Sequence, residues 1–276
     1  LAASGLLIDA GAVLEVDAGV QILTDAVQDG AEIVVRGALV SQGTPAEPVI
    51  FGSVPGQRTS SWGGIKLEGP GSRLEHMQIH GANVGLEVRA SAGDVMIAQI
   101  EIAEGQTALR WHVDQALRLD DVTIHDIGYR GIEVIPEAVL ATVTISGLWA
   151  KNIGMDASAA TAMNPSVIMI AEPNQVESSS DSGRITVTRA SFENVRGQLL
   201  EAPGWWNSLE LGGWQVDGVE TLPEHPAAIR VGGNGRQHDT SSAVEVESLS
   251  ERLTLRIVNS AFRAIKGQLL DVALWG

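Results

Sequence analysis

Residues 119–134 read LDDVTIHDIGYRGIEV, and their pattern decides the fold. Apolar side chains fall at Leu119, Val122, Ile124 and Ile127, and Gly131 opens a second short run at Ile132-Glu133-Val134. The same figure stands upstream at Ile97, Ile100, Ile102 and Leu109, and before that at Leu74, Met77, Ile79 and Leu86. Leu74 to Ile97 is 23 residues, Ile97 to Leu119 is 22, and Leu109 to Ile132 is 23. Self-similarity at a period in the low twenties marks a stacked repeat in which each unit buries its apolar face against the next. Each unit carries two or three short β runs and glycine corners, with no helical periodicity. The spacing therefore predicts one coil of a parallel β-helix.

Outward from this stretch, the coils align on their apolar positions. A first inward column reads Leu74, Ile97, Leu119, Ile145, Val187, Leu211 and Ile257. A second reads Ile79, Ile102, Ile124, Ala150, Phe192, Val216 and Phe262, and a third Ile127, Ile153, Val195, Val219 and Ile265. FENVRGQLLE at Phe192–Glu201 and FRAIKGQLLD at Phe262–Asp271 lie 70 residues apart, read as three coils. The middle residues of the short strands give Lys66, Glu87, Arg110, Glu133, Ile168, Glu201, Arg230 and Asp271. Stacked about 4.8 Å apart, these set opposite signs face to face nearly everywhere, which favours the register and penalises a slip.

Two segments break the period. Ile145 to Val187 is 42 residues, read as nearly two coils, with a strand at Val167-Ile168-Met169-Ile170 and the polar run EPNQVESSSDSG. The second is GGNGRQHDTSSAVEVESLSE, Gly232–Glu251. We read inserted loops at about residues 155–183 and 232–251, on a face open to ligands. Residues 1–276 then form a single β-helix domain of about ten to twelve coils. The chain finishes GQLLDVALWG, apolar and strand-like, so a continuation, a stacking partner or an oligomeric contact is expected at the ends.

The first coils add a resemblance. GALVSQGTPAEPVIF, followed by Trp62-Gly63-Gly64-Ile65, resembles bacterial right-handed parallel β-helix proteins of the pectate-lyase-like superfold, clearly over residues 5–155 and more loosely beyond. The resemblance implies an all-β, single-stranded, right-handed solenoid, of the exported or cell-surface type. It does not choose an activity, because that superfold hosts lyases, hydrolases, phage tailspikes and non-catalytic surface proteins.

Composition narrows the partners. The chain of 276 residues has 34 acidic and 18 basic residues, a net charge of −16, and no cysteine. Such a surface repels phosphate backbones, so nucleic acid is not an expected partner. Without cysteine there is neither a disulfide framework nor thiol chemistry. No apolar run approaches the roughly 18–20 residues of a membrane span, and Leu1 opens no recognisable signal peptide, so the chain reads as processed or excised from something longer.

Candidate chemistry gathers at Asp120, Asp121, His125 and Asp126. With Leu119, Val122 and Ile124 inward, Asp120 and His125 project outward and Asp121 and Asp126 sit at bends. Carboxylates over a groove can serve as general acid, base or nucleophile on a sugar bond. The Asn-Thr-Asp and Gly-His-Gly signatures of β-helix polygalacturonases are absent, as are the lyase Asp-His and Arg-Pro-Arg motifs. The outward column His80, Ala103, His125, Lys151, Glu193, Asp217, Arg263 places Lys151 beside His125. Seven Trp against three Phe and one Tyr suit a glycan platform, with Trp149, Trp205, Trp206 and Trp214 as its candidates. No zinc, EF-hand or nonapeptide calcium motif is present; no cofactor is called for, and calcium between loop acids stays open. Asn152 and Asn194 match in position and are read as a bend ladder.

The expectation is an extracellular or cell-surface module, bacterial and exported, that serves as a rigid scaffold and binds carbohydrate. The alternatives are a polysaccharide hydrolase or lyase using the Asp120–Asp126 cluster, and a fibre segment whose ends stack on other domains.

Overall fold

The computed structural model describes residues 5–24, 30–53, 62–113, 116–137, 142–156, 164–171, 183–202, 206–223, 225–232 and 254–273. These residues are strand, turn and bend, with one short 3₁₀ turn at Ala90–Ala92. All named strand pairs are parallel, and the chain winds as a parallel β-helix with three walls. The first wall has ten rungs: Leu6–Ile8, Glu32–Val35, Gly64–Leu67, Val84–Val88, Thr107–Val113, Arg130–Pro136, Ser166–Ile170, Gln198–Ala202, Ala227–Gly232 and Gln268–Ala273. The second runs from Val13–Asp17 and Ala38–Gln42 to Gly183–Thr188, Trp206–Gly212 and Thr254–Val258. The third starts at Gln21–Thr24 and Val49–Ser53 and ends at Ser191–Arg196, Gln215–Glu220 and Ala261–Lys266. Between them, Arg73–His80, Met96–Ala103, Ala116–Ile127 and Thr142–Ile153 each cross from the second wall into the third.

The three predicted apolar columns are rows of register partners. Leu74 pairs with Ile97, Leu119 with Ile145, Ile145 with Val187, Val187 with Leu211 and Leu211 with Ile257. The rows through Ile124, Ala150 and Phe192, and through Ile127, Ile153 and Val195, hold equally. Their members are buried except in the last coil, so each rung seals the rung beneath it. Full burial of an Ile or Leu contributes about 1.5–3 kcal/mol, and this repeats several times per coil.

Three details differ from the sequence reading. Ile145 and Val187 are direct neighbours, so their 42 residues form one long coil, and Ser166–Ile170 within the supposed 155–183 insertion is a regular first-wall rung. Phe192 pairs with Val216 and Val216 with Phe262, so the 70-residue spacing holds two coils, the second enlarged by residues 233–253. In the charge column Glu133 pairs with Met169, and Met169 with Glu201, while Ile168 faces the core. The unbroken apolar run 167–170 offers no alternation to set its phase, and the reading slipped by one residue. The rest of the column stands: Arg110 Nε donates to Glu133 at 2.6 Å, Arg110 lies 3.9 Å from Glu87, and Arg230 lies 3.8 Å from Glu201.

The corner between the second and third walls is one residue in the left-handed region. From His76 it passes through Gln99, Asp121, Gly147, Arg189 and Gly213 to Asn259. A second such column closes the third wall at Gly81, Glu104, Asp126, Asn152, Asn194, Gly218 and Ala264. Asn and Asp tolerate this conformation through local hydrogen bonds, and Gly has no Cβ to resist it. At Gly147 the φ is 73°, and a Cβ there would lie 2.0 Å from Asp121 Oδ1, so a side chain at this bend would displace the Asp121 carboxylate.

Candidate functional site

Two bends bracket the expected cluster. Asp121 (φ 52°) and Asp126 (φ 55°) are both left-handed, so Val122, Ile124 and Ile127 stay inside while Asp120, Asp121, His125 and Asp126 reach the surface. The bends separate the acids into two groups. On the second wall, Asp120 accepts from Arg118 Nε at 2.8 Å, and Asp121 lies 3.4 Å from Arg189 Nη2, whose guanidinium also donates to Ser146 Oγ. On the third wall and its corner, His125 and Asp126 join a chain that climbs five coils.

That chain begins with Gln78 Nε2 donating to Glu101 Oε2 at 3.1 Å. Glu101 Oε1 lies 3.0 Å from His125 Nε2, and Asp126 Oδ2 lies 2.7 Å from His125 Nδ1. Asn152 Nδ2 donates to Asp126 Oδ1 at 2.7 Å, and Asn194 Nδ2 to Asn152 Oδ1 at 2.6 Å. The Asn ladder expected from sequence is therefore the upper half of a longer network. Partial burial favours neutral His125, but the hydrogen bonds and charges of Asp126 and Glu101 outweigh it, and the imidazole pKa lies above its ordinary value. The His125 hydrogen bond, then that of Asn152, holds the Asp126 carboxyl below its usual range against a smaller opposing effect of burial.

This arrangement limits the chemistry. Both His125 nitrogens are engaged, so the ring has no lone pair free to act as a general base. Each oxygen of Asp126 has a partner, and its lowered pKa is the reverse of what a general acid needs near neutral pH. Among the described residues no group of three or more His, Asp or Glu is placed to hold a metal ion. A shallow cleft of about 450 Å³ lies elsewhere, on the first wall, lined by Arg36, Lys66, Glu68 and Arg89. Its charges pair internally: Glu68 meets Arg36 at 3.3 Å and Lys66 at 3.2 Å, and Arg89 meets Glu87 at 2.6 Å.

The aromatic candidates divide. Trp149 projects from the third wall in register with Thr123 below and Ser191 above, 37% exposed, its ring centroid 6.1 Å from that of His125. Lys151 stands two residues on, beside His125, and pairs with Glu193 at 2.7 Å. Trp214 is not at the surface. It is fully buried, 4.7 Å from the Phe192 ring and 6.4 Å from that of Phe262, and its indole N–H donates to Val187 O at 3.0 Å. It follows the bend at Gly213 in the inward row of Met77, Ile100, Val122 and Leu148, and small neighbours at Ala190 and Ser260 leave room for the indole. Trp205 and the Trp206 side chain lie outside the described residues.

Glu101 is the site member that sequence reasoning missed. It sits one coil below His125 and one outward position to the side, opposite Thr123, while Ala103 lies directly beneath the imidazole. The pairing of a small Ala103 under His125 was the available signal, since it frees the ring to lean toward a diagonal neighbour. Among the described residues no helix is long and apolar enough to cross a membrane. No family model matches the chain, and no curated protein or solved structure gives a match.

Proposed function

We propose that the chain is an exported or cell-surface β-helix module that acts as a rigid scaffold and binds neutral glycan along its third wall. The observation that carries this reading is Trp149, an indole held outward on a flat parallel sheet and flanked by hydrogen-bonding side chains. A sugar stacked on the indole face would meet Thr123 and Ser191 along the column and Lys151 and Glu193 beside it. The network from Gln78 to Asn194 fixes the polar flank, which lowers the ordering cost of binding. A net charge of −16 favours a neutral over an anionic polymer. The hydrolase alternative draws less support, because each carboxylate of the Asp120–Asp126 cluster already has a cationic, imidazole or amide partner.

The test is a fluorescence titration with a panel of neutral oligosaccharides. Quenching by at least one of them, weakened about five- to tenfold in Trp149→Ala, is the expected outcome. Quenching unchanged in Trp149→Ala, or none across the panel, would refute the platform.

A further inference from the structure

The third wall is narrow across its strands and long up the tube. In the coil of Trp149 the left-handed bends at Gly147 and Asn152 close it on both sides, and in the coil below Asp121 and Asp126 do the same. Leu148 and Ala150 are buried between those bends, so the coil turns only Trp149 and Lys151 outward there. The coil below offers Thr123 and His125, and the coil above Ser191 and Glu193. Each outward pair spans about 7 Å, two residues of strand. Up the tube, the outward column through Trp149 reads Gln78, Glu101, Thr123, Trp149, Ser191 and Gln215. Its steps of about 4.8 Å make a strip about 24 Å long.

The strip is polar without being charged. Of its members only Glu101 carries a charge, and Glu101 is held by Gln78 Nε2 at 3.1 Å and His125 Nε2 at 3.0 Å. In the column beside it, Lys151 and Glu193 neutralise each other at 2.7 Å. Stacking alone does not impose this, because the same stacking on the first wall sets Lys66, Glu87, Arg110 and Glu133 in succession.

We infer that the ligand of the Trp149 platform is a linear neutral glycan bound lengthwise, its chain climbing the tube across successive coils instead of following a strand. The inference rests on the glycan reading of the third wall and adds the class and direction of the ligand. A ring stacked on Trp149 leaves no place for a second ring along its own strand, because the surface turns away at Gly147 and Asn152. The next sugars meet the wall above, at Ser191 and Gln215, or below, at Thr123, Glu101 and Gln78. One coil advances about 4.8 Å, close to the advance of one pyranose in an extended chain, so sugars and coils stay in step for several residues. A single terminal sugar would use Trp149 and leave the rest of the strip idle.

The experiment is isothermal titration calorimetry of the 276-residue chain with linear β-1,4-linked gluco-, xylo- and manno-oligosaccharides, each from dimer to hexamer. In at least one series affinity should rise about two- to fivefold per added sugar. Gln215→Ala, two coils above Trp149, should weaken the hexamer about threefold and leave the dimer unchanged. Thr144→Ala, on the second wall in the coil of Trp149 and beyond the Gly147 bend, should change neither. Circular dichroism checks that each variant is folded. Affinity that does not grow with length, a hexamer indifferent to Gln215→Ala, or one weakened by Thr144→Ala overturns the lengthwise reading while the platform at Trp149 stands. Binding to no member of any series removes the platform and this inference together.

Discussion

Replacing Trp214 by Ala removes the largest side chain from the upper part of the core. The row above Ala190 cannot collapse to fill the gap, because strand spacing along the tube is set by backbone hydrogen bonds at about 4.8 Å. Burying no comparable group in its place costs about 3–5 kcal/mol for a core Trp→Ala change. That range already includes the ring contact with Phe192 at 4.7 Å, which contributes about 0.5–1.5 kcal/mol. Trp214→Phe retains most of the ring packing but loses the indole donor to Val187 O, a hydrogen bond worth about 1 kcal/mol, and leaves a small void. We expect a loss of about 4 kcal/mol for Ala and about 1–2 kcal/mol for Phe. Urea unfolding followed by far-UV circular dichroism reads both, independently of the change in indole fluorescence. A cost below about 1 kcal/mol for Trp214→Ala, or equal costs for the two variants, would refute the placement of the indole in the core.

Two further predictions concern the polar columns. His125 titrates with a raised folded pKa, so its stabilising contribution is complete below the ordinary value of 6.5 and is lost as pH rises through the folded pKa. His112 shifts the other way, because burial favours its neutral form, so the comparison is made against His125→Gln. The stability gap between wild type and this variant should shrink from about pH 6 to about pH 9, and a gap that stays constant would remove the imidazolium from the network. Glu133 is 6% exposed and accepts from Arg110 Nε at 2.6 Å and from Arg130 Nη1. Glu133→Gln takes the anion from Arg130 and leaves Arg110 only Glu87 at 3.9 Å, and should cost about 2 kcal/mol, between the exposed and buried limits. Adding Arg110→Gln should recover part of that loss, and a neutral single variant would show that the column contributes nothing to stability.

The columns were legible because a parallel stack repeats its demands. Ile79, Ile102 and Ile124 recur at an almost constant interval, and every strand must place an apolar side chain at the same height. The interval stopped being informative where coils lengthen. Counting from Phe192 to Phe262 gave three coils because nothing in the residue spacing distinguishes one enlarged turn from two ordinary ones. Trp214 was misplaced by residue type, since indoles are read as surface platforms, although its row with Val122 and Leu148 already pointed inward. The network around His125 was only half visible. Its Asn members stack directly and share a sequence position, whereas Glu101 reaches the imidazole diagonally, and a diagonal contact depends on rotamers that a register does not specify.

The bend column from His76 to Asn259 divides the perimeter into unequal parts. Along that corner each turn uses one residue, and an added amino acid would reverse the facing of everything after it. Among the described residues, the strands on either side of the 42-residue turn from Ile145 to Val187, and of the longer one from Leu211 to Ile257, stay in register, so added length there leaves the rungs undisturbed. A foreign peptide grafted between Gly93 and Asp94, both exposed in the turn that leaves the first wall, should therefore be carried as cargo, whereas the same graft at Asp121 or Asp126 would break the tube in two.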